Sequence, residues 1–147
     1  MITDALSDSE FLGLTIIGEG RGEPIEGQVA IGCVCRNRLH SQPNKYNNYK
    51  DVCLEKEQFS CWNENDSNKP YLEELGQKLL NNIPINDIYL LQCFWVAQGV
   101  YDWKIIDNTK GALHYMTKDL FFSKRPTWAK VVRNGTEIIG KQVFFNV

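Results

Sequence analysis

Ser7-Asp8-Ser9-Glu10-Phe11-Leu12-Gly13-Leu14-Thr15-Ile16-Ile17-Gly18-Glu19-Gly20-Arg21-Gly22-Glu23-Pro24 is the run on which the reading of this 147-residue chain turns. Ser7 and Glu10 have the spacing of a capping box, in which the serine hydroxyl accepts from an orphan backbone N–H and the glutamate reaches back, so a helix is predicted to start there. Phe11, Leu12, Leu14, Thr15, Ile16 and Ile17 leave no clean polar face, which predicts a helix buried on most sides. It is expected to stop across 18–22, where three glycines offer positive-φ positions and Pro24 suits the first turn of a new helix.

Working outward, a second helix is predicted over about 24–39. Its charged end, Arg36, Arg38 and His40, would complement the negative pole of the dipole. Polar loops are expected over 41–50 and 62–69, and helical spacing returns over 71–80 and 87–100, with Trp95 read as a core residue. Beyond Tyr101 the pattern shortens: strand candidates lie at 112–116 and 142–147, and Asn134-Gly135 is a hairpin signal between 130–133 and 136–139. The fold class predicted is α+β, helices followed by a small antiparallel sheet, in one continuous unit over 1–147.

Composition narrows the function. Apolar residues make up 43% of the chain and charged residues 23%, as in an ordinary globular domain. A net charge of -2 gives no drive toward nucleic acid. No run of about 18 apolar residues is present, so no membrane insertion is expected. The acidic N-terminus lacks the pattern of a signal peptide, which predicts synthesis in the cytoplasm. Cys33, Cys35, Cys53, Cys61 and Cys93 contain no CxxC pair and read as reduced core thiols rather than metal ligands; neither a metal nor a cofactor is expected.

Glu19 is the residue that folding alone does not explain. A carboxylate at the C-terminal end of an apolar helix, next to Ile16 and Ile17, meets desolvation and repulsion from helix carbonyls, and both favour the neutral acid that proton donation requires. The bland alternative is an ion pair with Arg21, Arg36 or Arg38. Glu23, just before Pro24, suits either catalysis or the N-terminal amides of the second helix.

In order along the chain, Glu19-Gly20-Arg21-Gly22-Glu23-Pro24, Gly27-Gln28-Val29-Ala30, Asn37-Arg38, Gln58-Phe59-Ser60, Gly111-Ala112-Leu113-His114-Tyr115, Pro126, Trp128, Ile139-Gly140 and Phe144 resemble the cell-wall hydrolases of the SleB type, peptidoglycan-cleaving domains of spore cortex-lytic enzymes and phage lysins. Two positions depart: Gly20 stands where that family usually has Ala, and Gln142 where its closing pattern has His.

The resemblance implies a helical part like that of lysozymes and lytic transglycosylases, and a substrate, the peptidoglycan glycan strand, cut between N-acetylmuramic acid and N-acetylglucosamine. It places the catalytic acid at Glu19. Glu19 would protonate the glycosidic oxygen and then, ionised, accept the proton of the muramic C6 hydroxyl, closing a 1,6-anhydro ring. Lysozyme-type hydrolysis needs a second carboxylate, for which Glu23 is the candidate, and a non-catalytic peptidoglycan-binding module is the reading from another class. Substrate-binding candidates are Glu23, Gln58, Ser60, His114 and Tyr115, with Gln58 and Tyr115 ahead of Ser60 and His114, and Trp62 is the expected stacking platform for sugar. No obligate protein partner is implied, and the expected place of action is the cell wall, reached after release or in a phage virion.

Overall fold

The computed structural model describes residues 2–56, 58–133 and 136–147. After a single turn, α1 (Ile2–Ala5), come α2 (Asp8–Gly20), α3 (Ile25–Ser41), α4 (Tyr49–Cys53), α5 (Asn68–Leu80) and α6 (Ile88–Tyr101). The C-terminal third carries β1 (His114–Thr117), α7 (Lys118–Ser123), β2 (Glu137–Ile139) and β3 (Gln142–Phe145), with short 3-10 turns at Ser60–Trp62 and Thr127–Ala129.

The capping box forms in full: Ser7 Oγ accepts from Glu10 N at 3.2 Å, and Ser7 N donates to Glu10 Oε1 at 2.9 Å. From this start α2 runs through the centre, packed by α3, α4, α5 and α6 and buried from Phe11 to Ile17. It ends at Gly20, within the expected 18–22, but not through positive-φ glycines. Gly18 and Gly20 remain helical and have no positive φ; what they supply is close approach. A Cβ at Gly18 would sit 2.6 Å from Cys61 Cβ, and one at Gly20 2.6 Å from Ile31 Cδ1. The helix therefore carries Glu19 within its last turn, so the acid's direction is fixed by helical geometry rather than by a loop.

Helix α3 begins after Pro24 as predicted; of its basic end, His40 is exposed while Arg36 and Arg38 are buried. Arg36 is 2% exposed, donating through Nη1 to Val100 O at 3.1 Å with its guanidinium 4.2 Å from the Trp103 ring centre. Asn37 Nδ2 donates to Asp107 Oδ2 and Ala112 O, both at 3.0 Å, and Arg38 Nε donates to Leu113 O at 2.7 Å. Asn37 and Arg38 thus tie down the segment that leads into β1.

Two tryptophans exchange their expected roles. Trp95, read as core, is 65% exposed, because the buried face of α6 is formed by Leu90, Cys93, Val96, Ala97 and Val100. Trp62, expected as an exposed platform, is 8% exposed: its ring stacks on Phe11 at 4.6 Å and its Nε1 donates to Thr15 Oγ1 at 2.9 Å. Tyr46 and Tyr49, in the expected 41–50 surface loop, are likewise buried.

The sheet has the order β1-β3-β2 and is antiparallel throughout. Tyr115 pairs with Phe144 and Met116 with Val143. Alternation then splits the side chains: Tyr115 and Phe144 join the helical core, while Met116, Val143 and Phe145 form a smaller cluster with Phe121 and Ala129. The hairpin turn is at Gly140-Lys141, joining the paired Ile139 and Gln142, with Gly140 at φ 59° in the first central position, as a type II′ turn requires. The hairpin expected at Asn134-Gly135 falls outside the described residues, and 130–133 is not a strand. Among the described residues no helix is long and apolar enough to cross a membrane.

Candidate active site

Glu19 is half-buried where α2, the Ser60–Trp62 turn and β1 meet. Its Oε1 accepts from the Tyr115 hydroxyl. Its Oε2 accepts from Cys61 N at 3.1 Å and, more weakly, from Ser60 Oγ at 3.4 Å. The ion pairs expected as the bland alternative do not form: Arg21 donates to Ile17 O and Asn68 Oδ1, and Arg36 and Arg38 bond backbone carbonyls. Among the described residues the carboxyl is thus held by three neutral donors and no cation.

Burial and the nearby Glu19 charge push the Tyr115 phenol well above its ordinary range, and the same two causes push the Cys61 thiol up. Both groups stay protonated at neutral pH. The five cysteines are free and buried, as expected of core thiols. Burial raises Cys33 and Cys93 to about 11.

Tyr115 connects the acid to a pocket of about 440 Å³ at the free edge of β1, lined also by Arg38, Gln58, His114 and Trp128. Burial, then the charge of Arg38, lowers the His114 pKa, so its ring is neutral at pH 7. That ring lies 5.3 Å from Trp128, which is 55% exposed at the pocket wall. A larger, more open cavity of about 460 Å³ lies between the end of α5 and α6; its one ionisable residue, Glu10, is already engaged in the capping box.

Of the residues singled out from sequence, Glu19, Ser60 and Tyr115 are therefore in direct contact, and Gln58 and His114 share the pocket with Tyr115. Glu23 is held elsewhere. Its Oε2 accepts from Lys141 N and its Oε1 from Gln142 Nε2, both at 3.4 Å, which seats it on the β2–β3 turn. Gln142, the departure from the family pattern, thus serves as a neutral donor to Glu23. Sequence reasoning missed the Cys61 amide, which no residue type advertises, and the pocket-lining places of Arg38 and Trp128; the matched Asn37-Arg38 and Trp128 positions were the signal available.

A family model described as Cell Wall Hydrolase matches residues 22–145. No curated protein matches the chain in sequence. Among solved structures, the chain is similar to the catalytic domain of the germination-specific lytic transglycosylase SleB from Bacillus anthracis, with 21% identity, a TM-score of 0.61, and 95% of this chain and 93% of that one covered. It is also similar to the catalytic domain of the Bacillus cereus SleB protein, with 22% identity, a TM-score of 0.58, and 95% and 89% covered. The α+β fold expected from the resemblance, a lysozyme-like helical part followed by a small antiparallel sheet, is the one found.

Proposed function

Because this chain belongs to the cell-wall hydrolase family, we propose that it cleaves peptidoglycan glycan strands between N-acetylmuramic acid and N-acetylglucosamine as a lytic transglycosylase, with Glu19 as acid and then base. One observation carries the reading: Glu19 is bonded by Tyr115 beside a pocket whose described lining holds no second acid, while the second acid of the motif, Glu23, has its oxygens on the β2–β3 turn.

In this reading Glu19 gives its proton to the glycosidic oxygen as the C1–O bond lengthens, and the muramic ring develops oxocarbenium character. The departing sugar leaves Glu19 ionised, and the Tyr115 hydroxyl and Cys61 N–H bear on that negative charge without having to reorient. The carboxylate next removes the proton of the C6 hydroxyl, O6 bonds to C1, and Glu19 is again protonated for the next cut. Proximity within one sugar replaces an activated water, so a second carboxylate is not needed. Trp128 takes the sugar-stacking role that the buried Trp62 cannot, with Gln58 and Ser60 offering neutral hydrogen bonds to hydroxyl and acetamido groups. The reaction so written needs no cofactor, metal or protein partner, and its place is the cell wall, reached by release from a cell or within a virion.

Digestion of purified sacculi with mass analysis of the products tests this. Anhydro ends, lighter by one water than reducing ends, are expected from the wild type and nothing soluble from Glu19→Gln. Reducing ends alone would assign hydrolysis instead, and retention on sacculi without release of fragments would assign a binding module.

A further inference from the structure

Arg38 is 6% exposed, and its Nη1 is buried with no hydrogen-bond partner. Its Nε is spent on Leu113 O, and its guanidinium lies 5.2 Å from the Phe59 ring centre. Among the described residues no carboxylate forms an ion pair with it. A buried cation without an anion is costly, and proteins ordinarily pair it or close it off. Arg36 is closed off, against Trp103 and Val100 in the core. Arg38 instead lines the pocket beside Tyr115, where its described neighbours Gln58 and His114 bring no negative charge; Glu55, which feels the Arg38 charge, is spent on Lys45 and Tyr46.

We propose that this pocket binds a carboxylate of the muramyl peptide, with Arg38 as the residue that recognises it. The inference rests on the glycan-cleavage reading and names the part of the polymer that the site selects. The disaccharide backbone carries no ionised group while its lactyl side chain is substituted; the anions of peptidoglycan are the carboxylates of the stem peptides, or the lactyl carboxylate itself once the stem is removed. Either offers the planar pair of oxygens that a guanidinium meets best. Trp128 supplies the apolar wall of the same pocket. The consequence is a preference for muramyl strands over neutral amino-sugar polymers.

Binding of the Glu19→Gln protein to soluble, stem-bearing glycan strands separates recognition from cleavage. Calorimetry would compare native strands, strands with carboxylates amidated by carbodiimide and ammonia, and strands stripped of stems by an amidase. Amidation is expected to weaken binding at least tenfold, and Arg38→Gln in the same background to remove the difference. Stripped strands that bind as native ones do assign the lactyl carboxylate, and stripped strands that bind as amidated ones do assign the stem. Should Arg38→Gln fail to fold, the His114 ring signal of the otherwise unaltered Glu19→Gln protein is expected to shift with native strands and not with amidated ones. Equal affinity for native and amidated strands, or an unmoved His114 signal, overturns the carboxylate site while leaving glycan cleavage standing. Failure of the wild type to release soluble fragments from sacculi overturns the cleavage reading without touching the binding comparison.

Discussion

The Tyr115 hydroxyl donates to Glu19 Oε1 across 96 positions of sequence, joining the sheet to the last turn of the central helix. The phenol is held from behind by Phe144, 5.4 Å away, so its direction is set by the sheet rather than by the acid it serves.

Tyr115→Phe removes that donor and keeps the ring. A hydrogen bond to a charged group is worth about 1.5–3 kcal/mol, so kcat is expected to fall roughly tenfold to a hundredfold with KM little changed. Steady-state kinetics on solubilised glycan strands, alongside a melting curve close to wild type, checks this; unchanged kcat would remove Tyr115 from the acid's support.

Gly18→Ala acts on the other oxygen. The added methyl falls 2.6 Å from Cys61 Cβ and 2.8 Å from Leu72 Cδ1, so the Ser60–Trp62 turn must move away from α2, taking the Cys61 amide with it. Overpacking of this kind costs about 1–3 kcal/mol. Denaturant unfolding should record that loss, and activity should drop by more than the folded fraction does.

The two tryptophans should separate stability from binding. Trp62→Ala empties a site between Phe11 and Thr15 and is expected to cost about 3–5 kcal/mol of stability. Trp128→Ala, on an exposed ring, should leave the melting temperature nearly unchanged and raise KM for glycan strands severalfold. The reverse pattern would return the stacking role to Trp62.

Acid should loosen the approach to β1 first. Burial alone would raise the Asp107 pKa. Hydrogen bonds from Thr109, Asn37 and the Gly111 amide outweigh it and hold the carboxyl below its ordinary value. A carboxyl lowered on folding contributes stability that is present above its unfolded pKa, near 3.9, and is lost as pH falls through the folded value. The segment 107–113 is therefore expected to lose hydrogen-exchange protection below about pH 4. Asp107→Asn should show reduced protection already at pH 7 and a flatter pH dependence.

Legibility followed the range of each interaction. The capping box was readable because its two bonds link residues three apart, and Asp87 caps α6 by the same local logic, accepting from Tyr89 N and Leu90 N. The helix expected from residue 71 begins three residues earlier, at Asn68, because Pro70 fits the first turn of α5, where a missing N–H costs nothing. Glu19 was found by its misfit, an acid at the wrong pole of an apolar helix. Its donors were only partly legible, since the Cys61 N–H belongs to the backbone and no side-chain pattern reports it.

By itself the sequence determined where α2, α3 and α6 begin, that α2 is apolar all round, and that a short antiparallel sheet follows the helices, because capping and hydrophobic periodicity act between near neighbours. Only the tertiary structure decided that Trp62 is core and Trp95 exposed, that Arg36 and Arg38 turn inward, that the hairpin closes at Gly140, and that Glu19 meets Tyr115 while Glu23 is drawn to Gln142. Those outcomes depend on which faces distant segments cover, and a side chain's partners are chosen by the packing of the whole chain rather than by its place along it.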